Sequence, residues 1–338
     1  MLERSACRIE PAELSVRLTE TTFAGLPALR LSSDHVALVI LPSPGGRIIS
    51  LQLDGTEIFY IDSFLIGAAT SLYAGSEVRA EKRQLGWRHF GGDKTWLAPQ
   101  GAWTDGLPFL DLDSGAYELN EIRTATTAGV RVASPVCRET GVQVARTIAL
   151  DKDGTLQMRL ELTNRSHDSV SWGLWDVTQV RGPGRILFPI RPASDGLDDV
   201  RLYPKETPGG NGAKTRLVKR ESDIAIVTCS QTERFKFGTD NREGWMLGLV
   251  DRDEGTVGFL RSFDTDSETS YPHGSTGEVY DSDTLPYFEM ETHGPRATLA
   301  PGQSYARNEE WVLDWFDPTT AISEWLEKAR GRTVRSDL

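Results

Sequence analysis

"VQVARTIALDKDGTLQMRLELTN", residues 142–164, contains the pattern that decides the fold class. On both sides of the central Asp-Lys-Asp-Gly, apolar residues alternate with polar ones, as they do in strands with one buried face. Aspartate followed by glycine between two such runs is typical of a tight hairpin. The stretch therefore predicts two antiparallel strands joined by a short turn.

The same pattern recurs along the chain. A second Asp-Gly hairpin is predicted at 53–56, and one helix is predicted at the end of the chain, with Pro318 and Thr320 near its start and Gly331 as its stop. Many short strands with Gly- and Pro-rich turns predict an all-β sandwich. Further strands are predicted at 35–42, 47–53, 57–61, 223–230, 245–251, 255–263, 287–293 and 309–316.

Composition narrows the classes of partner. The chain has 338 residues, 38% of them hydrophobic, and a formal net charge of -12. An acidic chain disfavours a nucleic-acid or anionic-membrane partner, because both need a basic patch. The first residues hold no apolar signal segment, no apolar run reaches the length of a membrane span, and three scattered cysteines predict no disulfide. These features predict a cytoplasmic protein that is a monomer or homodimer and binds a small molecule.

The stretch "LPYFEMETHGP", residues 285–295, combines an apolar strand face with a chemically rich one. Strand alternation brings Tyr287, Glu289, Glu291 and His293 to one side. Two glutamates on one face raise each other's pKa unless a cation pairs with them. This suits a general base or a hard-cation site such as Ca²⁺, although a half-solvated structural strand shows the same alternation.

A second stretch suggests a sugar-binding surface. In "VSWGLWDVTQV", residues 170–180, Trp175 offers a stacking platform, while Asp176 and Gln179 offer hydroxyl partners. Trp175 and Gln179 share one predicted face, and Asp176 lies on the other. Tryptophans are also routine core residues, so a structural role stays open.

The stretch "GWRHFGGDKTWLAPQGAW", residues 86–103, predicts a ligand loop. Its double glycine, Gly91-Gly92, allows positive φ or a close approach of the backbone. Candidate ligand-binding side chains there are His89, Asp93, Lys94 and Trp96. A solvated surface turn is the alternative interpretation of the same residues.

These motifs, taken in order, resemble the galactose mutarotase-like (aldose 1-epimerase-like) superfamily. The resemblance rests on "LPSPGGRIISLQLDGTEIFY" (41–60), "RHFGGDKTW" (88–96) and "FEMETHGPRATLAPGQSY" (288–305), and spans roughly residues 30 to 316. The second and third stretches are also similar to an uncharacterised bacterial branch, the DUF4380 type. The resemblance implies a β-supersandwich with a sugar site, formed by residues 30–318. An N-terminal extension (1–29) and a C-terminal helix and tail (319–338) would flank it.

The resemblance also implies roles for particular residues. Glu291 matches the glutamate that removes the proton of the anomeric hydroxyl, His89 matches a sugar-holding histidine, and Arg47 lies in the opening Gly-Arg step. Trp175 stands where those enzymes carry an acid histidine, so His89 or His293 is the predicted substitute acid. The implied activity is that of an aldose 1-epimerase without a cofactor.

Two alternatives stay open on the same fold, because a fold does not fix a function. One is an oligosaccharide lyase or hydrolase in which Glu289 and Glu291 act together around a bound Ca²⁺. In that case the irregular stretch 181–221 would wall an extended cleft. The other alternative is a sugar-binding module that has lost the catalytic acid.

Overall fold

The computed structural model describes residues 16–68, 78–124, 127–190, 200–203, 218–221, 223–240 and 242–330. Most of these residues lie in strands. The strands are β1 Arg17–Phe23, β2 Leu26–Ser32, β3 Val36–Leu41, β4 Arg47–Leu53, β5 Thr56–Glu57, β6 Gly92–Ala98, β7 Glu118–Arg123, β8 Thr127–Ala133, β9 Val142–Asp151, β10 Leu156–Asn164, β11 Val170–Arg181, β12 Gly184–Pro189, β13 Val200–Leu202, β14 Val218–Glu221, β15 Ile224–Cys229, β16 Phe235–Thr239, β17 Trp245–Arg252, β18 Gly255–Phe263, β19 Gly277–Asp281, β20 Tyr287–His293, β21 Ala297–Leu299 and β22 Ser304–Trp315. The helices are α1 Ser63–Ala68, α2 Val78–Leu85, α3 Leu110–Asp113 and α4 Ile322–Arg330.

The strands form two antiparallel sheets, one of 12 strands and one of 10. The 12-stranded sheet has the order β1-β2-β3-β4-β6-β11-β20-β19-β16-β13, with β5 beside β4 and β21 beside β11. The order in the 10-stranded sheet is β14-β15-β12-β17-β18-β22-β10-β9-β8-β7. The predicted all-β sandwich is confirmed.

The two sheets pack face to face around a shared apolar core. Ile48 and Phe288 of the 12-stranded sheet belong to the same buried cluster as Phe259 and Trp311 of the 10-stranded sheet. Each large apolar side chain that is fully removed from water stabilises the fold by about 1.5–3 kcal/mol. The alternating apolar residues seen in the sequence therefore hold the two sheets together.

Both predicted Asp-Gly hairpins are present. Strands β9 and β10 pair with Leu150 opposite Leu156, so residues 142–164 form the hairpin that their pattern predicts. At the second hairpin, Leu53 pairs with Thr56, and the two loop residues Asp54 and Gly55 have φ values of 48° and 85°. Positive φ at both positions is the type I′ geometry that Asp-Gly favours.

Strand β6 is the main element that the sequence pattern does not reveal. All seven of its residues are buried, and the strand lies between β4 and β11 in the middle of the sheet. A strand buried on both faces shows no apolar-polar alternation. The stretch 92–98, predicted as part of a ligand loop, is therefore a central strand. Conversely, the predicted strand at 57–61 is reduced to isolated bridges at Phe59 and Ile61 beyond β5.

The chain ends pack on different sheets. Strands β1 and β2 form one edge of the 12-stranded sheet, and residues 1–15 lie outside the described part of the chain. The predicted helix is present as α4, whose Trp325 and Leu326 pack on Leu260 and Val312 at the outer face of the 10-stranded sheet. Gly331, its predicted stop, lies outside the described residues. The domain limits at residues 30 and 318 stay predictions.

Part of the irregular stretch 181–221 is regular. It contributes β12, β13 and β14 to the two sheets, whereas its tip "PKETPGGNG" (204–212) lies outside the described residues. Within the described chain, none of the helices has the length and apolarity needed to cross a lipid bilayer.

Candidate functional site

An open cavity of about 250 Å³ lies on the 12-stranded sheet. Alternate residues of β6, β11 and β20 face this cavity, while the residues between them face the 10-stranded sheet. The cavity is lined by the aromatic residues Trp87, Trp96, Trp175, Tyr280 and Tyr287. Its polar lining consists of Arg88, His89, Lys94, Gln100, Arg234, Lys236 and Glu289.

Tryptophans form one wall of the cavity. The Trp96 ring lies 5.8 Å from that of Trp87, 5.3 Å from that of Trp175 and 5.4 Å from that of Trp103, all in edge-to-face geometry. Such packing fixes the ring positions and contributes about 0.5–1.5 kcal/mol per pair. Trp87 remains exposed at the rim. The wall offers flat apolar faces of the kind that stack on a sugar ring.

Glu289 is the carboxylate that lines this cavity. Its Oε1 accepts a hydrogen bond of 2.9 Å from Nε2 of Gln179, and the Gln179 Oε1 accepts one of 3.1 Å from the Gly91 backbone N–H. The two side chains are cross-strand neighbours in β11 and β20. Gln179 is itself buried, so its contribution is to orient Glu289 rather than to line the cavity.

His89 lies beside Glu289 at the mouth of the cavity. Its Nδ1 is 3.0 Å from the Tyr287 hydroxyl, and burial lowers the pKa of the imidazole below its ordinary value. His89 is therefore neutral at physiological pH and presents one N–H donor and one lone pair. With Glu289 it forms an acceptor-donor pair on one side of the cavity.

Glu291 lies behind the cavity lining and is fully buried. Its carboxylate accepts hydrogen bonds from the Trp175 indole N–H at 2.8 Å and from Lys236 Nζ at 2.9 Å. Burial raises the pKa of Glu291 well above its ordinary value, and the neighbouring Glu278 adds to the shift. Its position behind the lining makes Glu291 less accessible to a ligand than Glu289.

Glu278 completes a buried cluster around Lys236. It lies opposite Glu291 on β19, with its Oε2 2.8 Å from Lys236 Nζ. Burial works against both charges, but the attraction outweighs it: the pKa of Glu278 falls well below its ordinary value, and that of Lys236 is raised. Lys236 is therefore neutralised from behind the cavity.

The same cluster contains the set of side chains that could hold a metal ion. His273 Nδ1 and His293 Nε2 each lie 3.2 Å from a Glu278 oxygen, and the three potential ligand atoms lie within 4.8 Å of one another. Burial lowers the pKa of His293 to about 4, which leaves its imidazole neutral. Two imidazoles and a carboxylate suit Zn²⁺ better than Ca²⁺, which prefers oxygen ligands. The Lys236 ammonium already occupies the shared carboxylate and competes with any cation.

Lys94 projects into the cavity from β6 and is 2% exposed. Its Nζ lies 4.4 Å from the Trp96 ring centroid, and no carboxylate of the described residues forms an ion pair with it. Burial lowers the pKa of Lys94 to about 8, with Glu289 opposing the shift.

The double glycine packs against protein backbone rather than opening a path to a ligand. Gly91 and Gly92 have φ values of 91° and 70°, as the sequence predicts. A Cβ added to Gly91 would lie 2.1 Å from the Tyr60 carbonyl oxygen, and one at Gly92 would lie 2.3 Å from that of Ile48. Only glycine lets these backbones approach so closely.

Three predicted site residues point away from the cavity into the protein interior. Asp93 and Asp176 point between the sheets, where Asp93 pairs with Arg146 and Asp176 lies 2.8 Å from Arg261. Strand alternation explains this, because their neighbours Lys94 and Trp175 face the cavity. Arg47 is fully buried and pairs with Asp113 at 2.8 Å. These placements correct the predicted cleft, which included Asp93.

The structure thus divides the predicted residues into two groups. The cavity brings together His89, Lys94, Trp96, Trp175, Tyr287 and Glu289. Behind it or away from it lie Arg47, Asp93, Asp176, Gln179, Glu291 and His293. Sequence analysis missed Arg88, Gln100, Arg234, Lys236, Tyr280 and the buried Glu278. Arg88 and Gln100 lie within the stretch 86–103 but were not singled out there. No motif marks the others, and only strand pairing brings β16 and β19 next to β20.

Several solved structures share this architecture. The Slr1438 protein from Synechocystis sp. PCC 6803 is 14% identical with a TM-score of 0.56, and the match covers 94% of this chain and 100% of that one. A galactose mutarotase-like protein from Clostridium acetobutylicum is 12% identical with a TM-score of 0.51, covering 89% and 99%. Another from Lactobacillus casei is 12% identical with a TM-score of 0.50, covering 85% and 100%. These similarities show the fold alone.

Comparison at the sequence level points to one family. No curated protein matches the chain by sequence. The family model described as a domain of unknown function (DUF4380) matches residues 115–314, which is more than half of the chain. The protein therefore belongs to the DUF4380 family and has a galactose mutarotase-like fold.

Proposed function

We propose that this protein binds a sugar in the cavity and catalyses proton transfer at its anomeric centre, as an aldose 1-epimerase does. The observation that carries the proposal is the combination of a tryptophan wall with one oriented carboxylate, Glu289, and a neutral histidine, His89. The fold supports a sugar ligand in general terms, because its structural neighbours include galactose mutarotase-like proteins.

In this proposal Glu289, rather than the predicted Glu291, is the base. Glu289 accepts the proton of the anomeric hydroxyl while the bond between C1 and the ring oxygen breaks. The ring oxygen takes up a proton from solvent in the open cavity, and the neutral imidazole of His89 donates a hydrogen bond that stabilises its developing negative charge. Rotation about the C1–C2 bond and closure on the other face of the aldehyde give the second anomer and return both protons.

Glu291 and His293 have supporting roles in the proposal. Glu291 holds the Trp175 indole and the Lys236 ammonium in position, and His293 stacks on Trp175 with ring centroids 5.4 Å apart. Neither side chain is among the residues that line the cavity, so neither contacts a sugar there directly.

Exchange between anomers, measured by two-dimensional NMR or polarimetry over hexoses, pentoses, uronic acids and sugar phosphates, tests the proposal. We expect Glu289→Gln to lower kcat by about 10²- to 10⁴-fold, the usual contribution of a general base. Glu291→Gln is the matched control from the same strand face, and we expect it to lower kcat by less than tenfold. Thermal unfolding of both variants shows whether the fold is kept.

The outcomes distinguish the candidate functions. A larger loss in Glu291→Gln than in Glu289→Gln would return the base to Glu291, as the sequence predicts. Binding of a sugar without exchange above background would favour a sugar-binding module, which Trp175 in the acid position also suits. Release of reducing ends from oligosaccharides would favour a hydrolase or lyase. Hydrolysis generally requires two facing carboxylates, and the described cavity lining contains only Glu289.

A further inference from the structure

We infer that the sugar bound in this cavity carries an anionic group, a carboxylate or a phosphate, and that Lys94 binds that group. The inference rests on the proposed function only in taking the ligand to be a sugar. A sugar carboxylate and a sugar phosphate would each pair with the Lys94 ammonium. They differ in the geometry and charge of the anion.

The cavity has an excess of positive charge in an otherwise acidic protein. Its described lining contains the cations Arg88, Lys94, Arg234 and Lys236, but Glu289 is the one carboxylate. Glu278 neutralises Lys236 from behind, at 2.8 Å. Even without Lys236 and without Arg234, which interacts with another group, Arg88 and Lys94 outnumber the one carboxylate of the lining, although the whole chain has a net charge of -12. A local excess of this sign attracts anionic ligands.

Lys94 differs from the other buried lysines. Among the described residues, Lys82, Lys94 and Lys236 are buried. Lys82 lies 3.2 Å from Glu139, and Lys236 lies 2.8 Å from Glu278, but Lys94 has no carboxylate partner in the described chain. Burying an unpaired ammonium is costly, and the contact with the Trp96 ring compensates for this only in part. The lowered pKa of Lys94, about 8, is consistent with an incomplete site.

The position of Lys94 fits a monosaccharide. Lys94 and Glu289 lie on strands that are separated by β11, so their backbones are about 10 Å apart. A sugar with its anomeric carbon at Glu289 would therefore extend its other end towards Lys94. Because Lys94 is on a central strand rather than a loop, its position is set before the ligand binds.

The test is a calorimetric titration of the full chain with glucose, glucuronate, glucose 6-phosphate and inorganic phosphate. We expect the anionic sugars to bind at least tenfold more tightly than glucose. Whichever of glucuronate and glucose 6-phosphate binds more tightly identifies the anion. Lys94→Met should lower the ratio of anionic to neutral affinity at least tenfold, whereas Lys94→Arg should keep most of it. Lys82→Met is the matched control, because Lys82 is equally buried but lies outside the cavity, and the ratio should not change.

Each result separates this inference from the proposed function. Equal affinities for glucose and the anionic sugars would overturn the inference, and so would an unchanged ratio in a folded Lys94→Met variant. Inorganic phosphate binding as tightly as glucose 6-phosphate would also overturn it, because the sugar would then contribute nothing. Lys94-dependent binding of an anionic sugar without anomer exchange supports the inference and contradicts the proposed enzyme. Anomer exchange of neutral sugars, without Lys94-dependent binding of an anionic sugar, supports the proposed enzyme and contradicts the inference.

Discussion

The two faces of the 12-stranded sheet carry charge in opposite ways. On the face towards the 10-stranded sheet, Asp93 and Asp176 form ion pairs with arginines. On the cavity face, Lys94 has no carboxylate partner in the described chain. The residues on the two faces are adjacent in sequence, so local composition does not distinguish them. What distinguishes them is whether the opposing surface is protein.

The charged side chains between the sheets form ion pairs with one another. Arg261 lies 2.8 Å from Asp176 and 2.6 Å from Glu309, and Arg307 also pairs with Glu309. Arg261 and Arg307 lower the pKa of Glu309 to about 2 although burial opposes the shift. With Arg146 on Asp93, each of the three arginines contacts a carboxyl group of this set, although burial raises the pKa of Asp176 to about 8. Every charged side chain here has a partner inside the protein, so we interpret the group as structural.

The largest effect is expected from removing an arginine charge between the two sheets. Arg261→Met leaves Asp176 and Glu309 buried with one cation fewer, and we expect a loss of about 3–5 kcal/mol in the free energy of unfolding, measured in urea. Arg131→Met is the matched control on the same sheet, because Arg131 forms a partly exposed pair with Glu161 at 3.1 Å. The control should lose less than about 1 kcal/mol. Equal losses in the two variants would show that the buried charges are not coupled.

A smaller effect is expected on the pH dependence of ligand binding at the cavity face. Because the pKa of Lys94 is about 8, affinity for glucuronate should be constant below that pH and fall about tenfold per unit above it. Glucuronate stays charged throughout, and Lys94→Arg should remove the dependence because arginine stays protonated. Titrations from pH 7 to 9.5 measure it. The charged groups around Lys94 are Glu289, Asp113, Asp93 and Arg47, and the titratable His89 is neutral over this pH range. A flat profile in the wild type would remove Lys94 from the binding site.

The smallest effect is expected at the tryptophan wall. Trp87 is exposed at the rim, and Trp87→Ala should weaken sugar binding about two- to tenfold, the scale of one aromatic contact. Trp172→Ala is the matched control, because Trp172 packs on Phe109 away from the cavity lining. Titration with the best sugar measures both. A Trp87→Ala variant with unchanged affinity would place the sugar deeper, against Trp96 and Trp175.

The candidate site was partly predictable from the sequence, because strand alternation is a local property. The alternation in residues 287–293 correctly assigns Tyr287, Glu289, Glu291 and His293 to one face of β20. It does not tell how far along that face the cavity extends, and only the first two residues line it. Sequence reasoning chose Glu291 by resemblance, whereas the accessible carboxylate is Glu289.

The sequence by itself determined the fold class and the hairpins. Turn residues such as Asp54-Gly55 and alternating runs such as 142–164 act over a few neighbouring residues, so their consequences appear in the sequence. Tertiary structure alone decided that 92–98 is a central strand, that Lys236 and Glu278 enclose Glu291, and that Asp93 faces arginines while Lys94 faces a cavity. The physical reason is that ionic balance and access to ligand depend on what lies opposite a side chain. Here the opposing residues are distant in sequence and meet only when the sheets assemble.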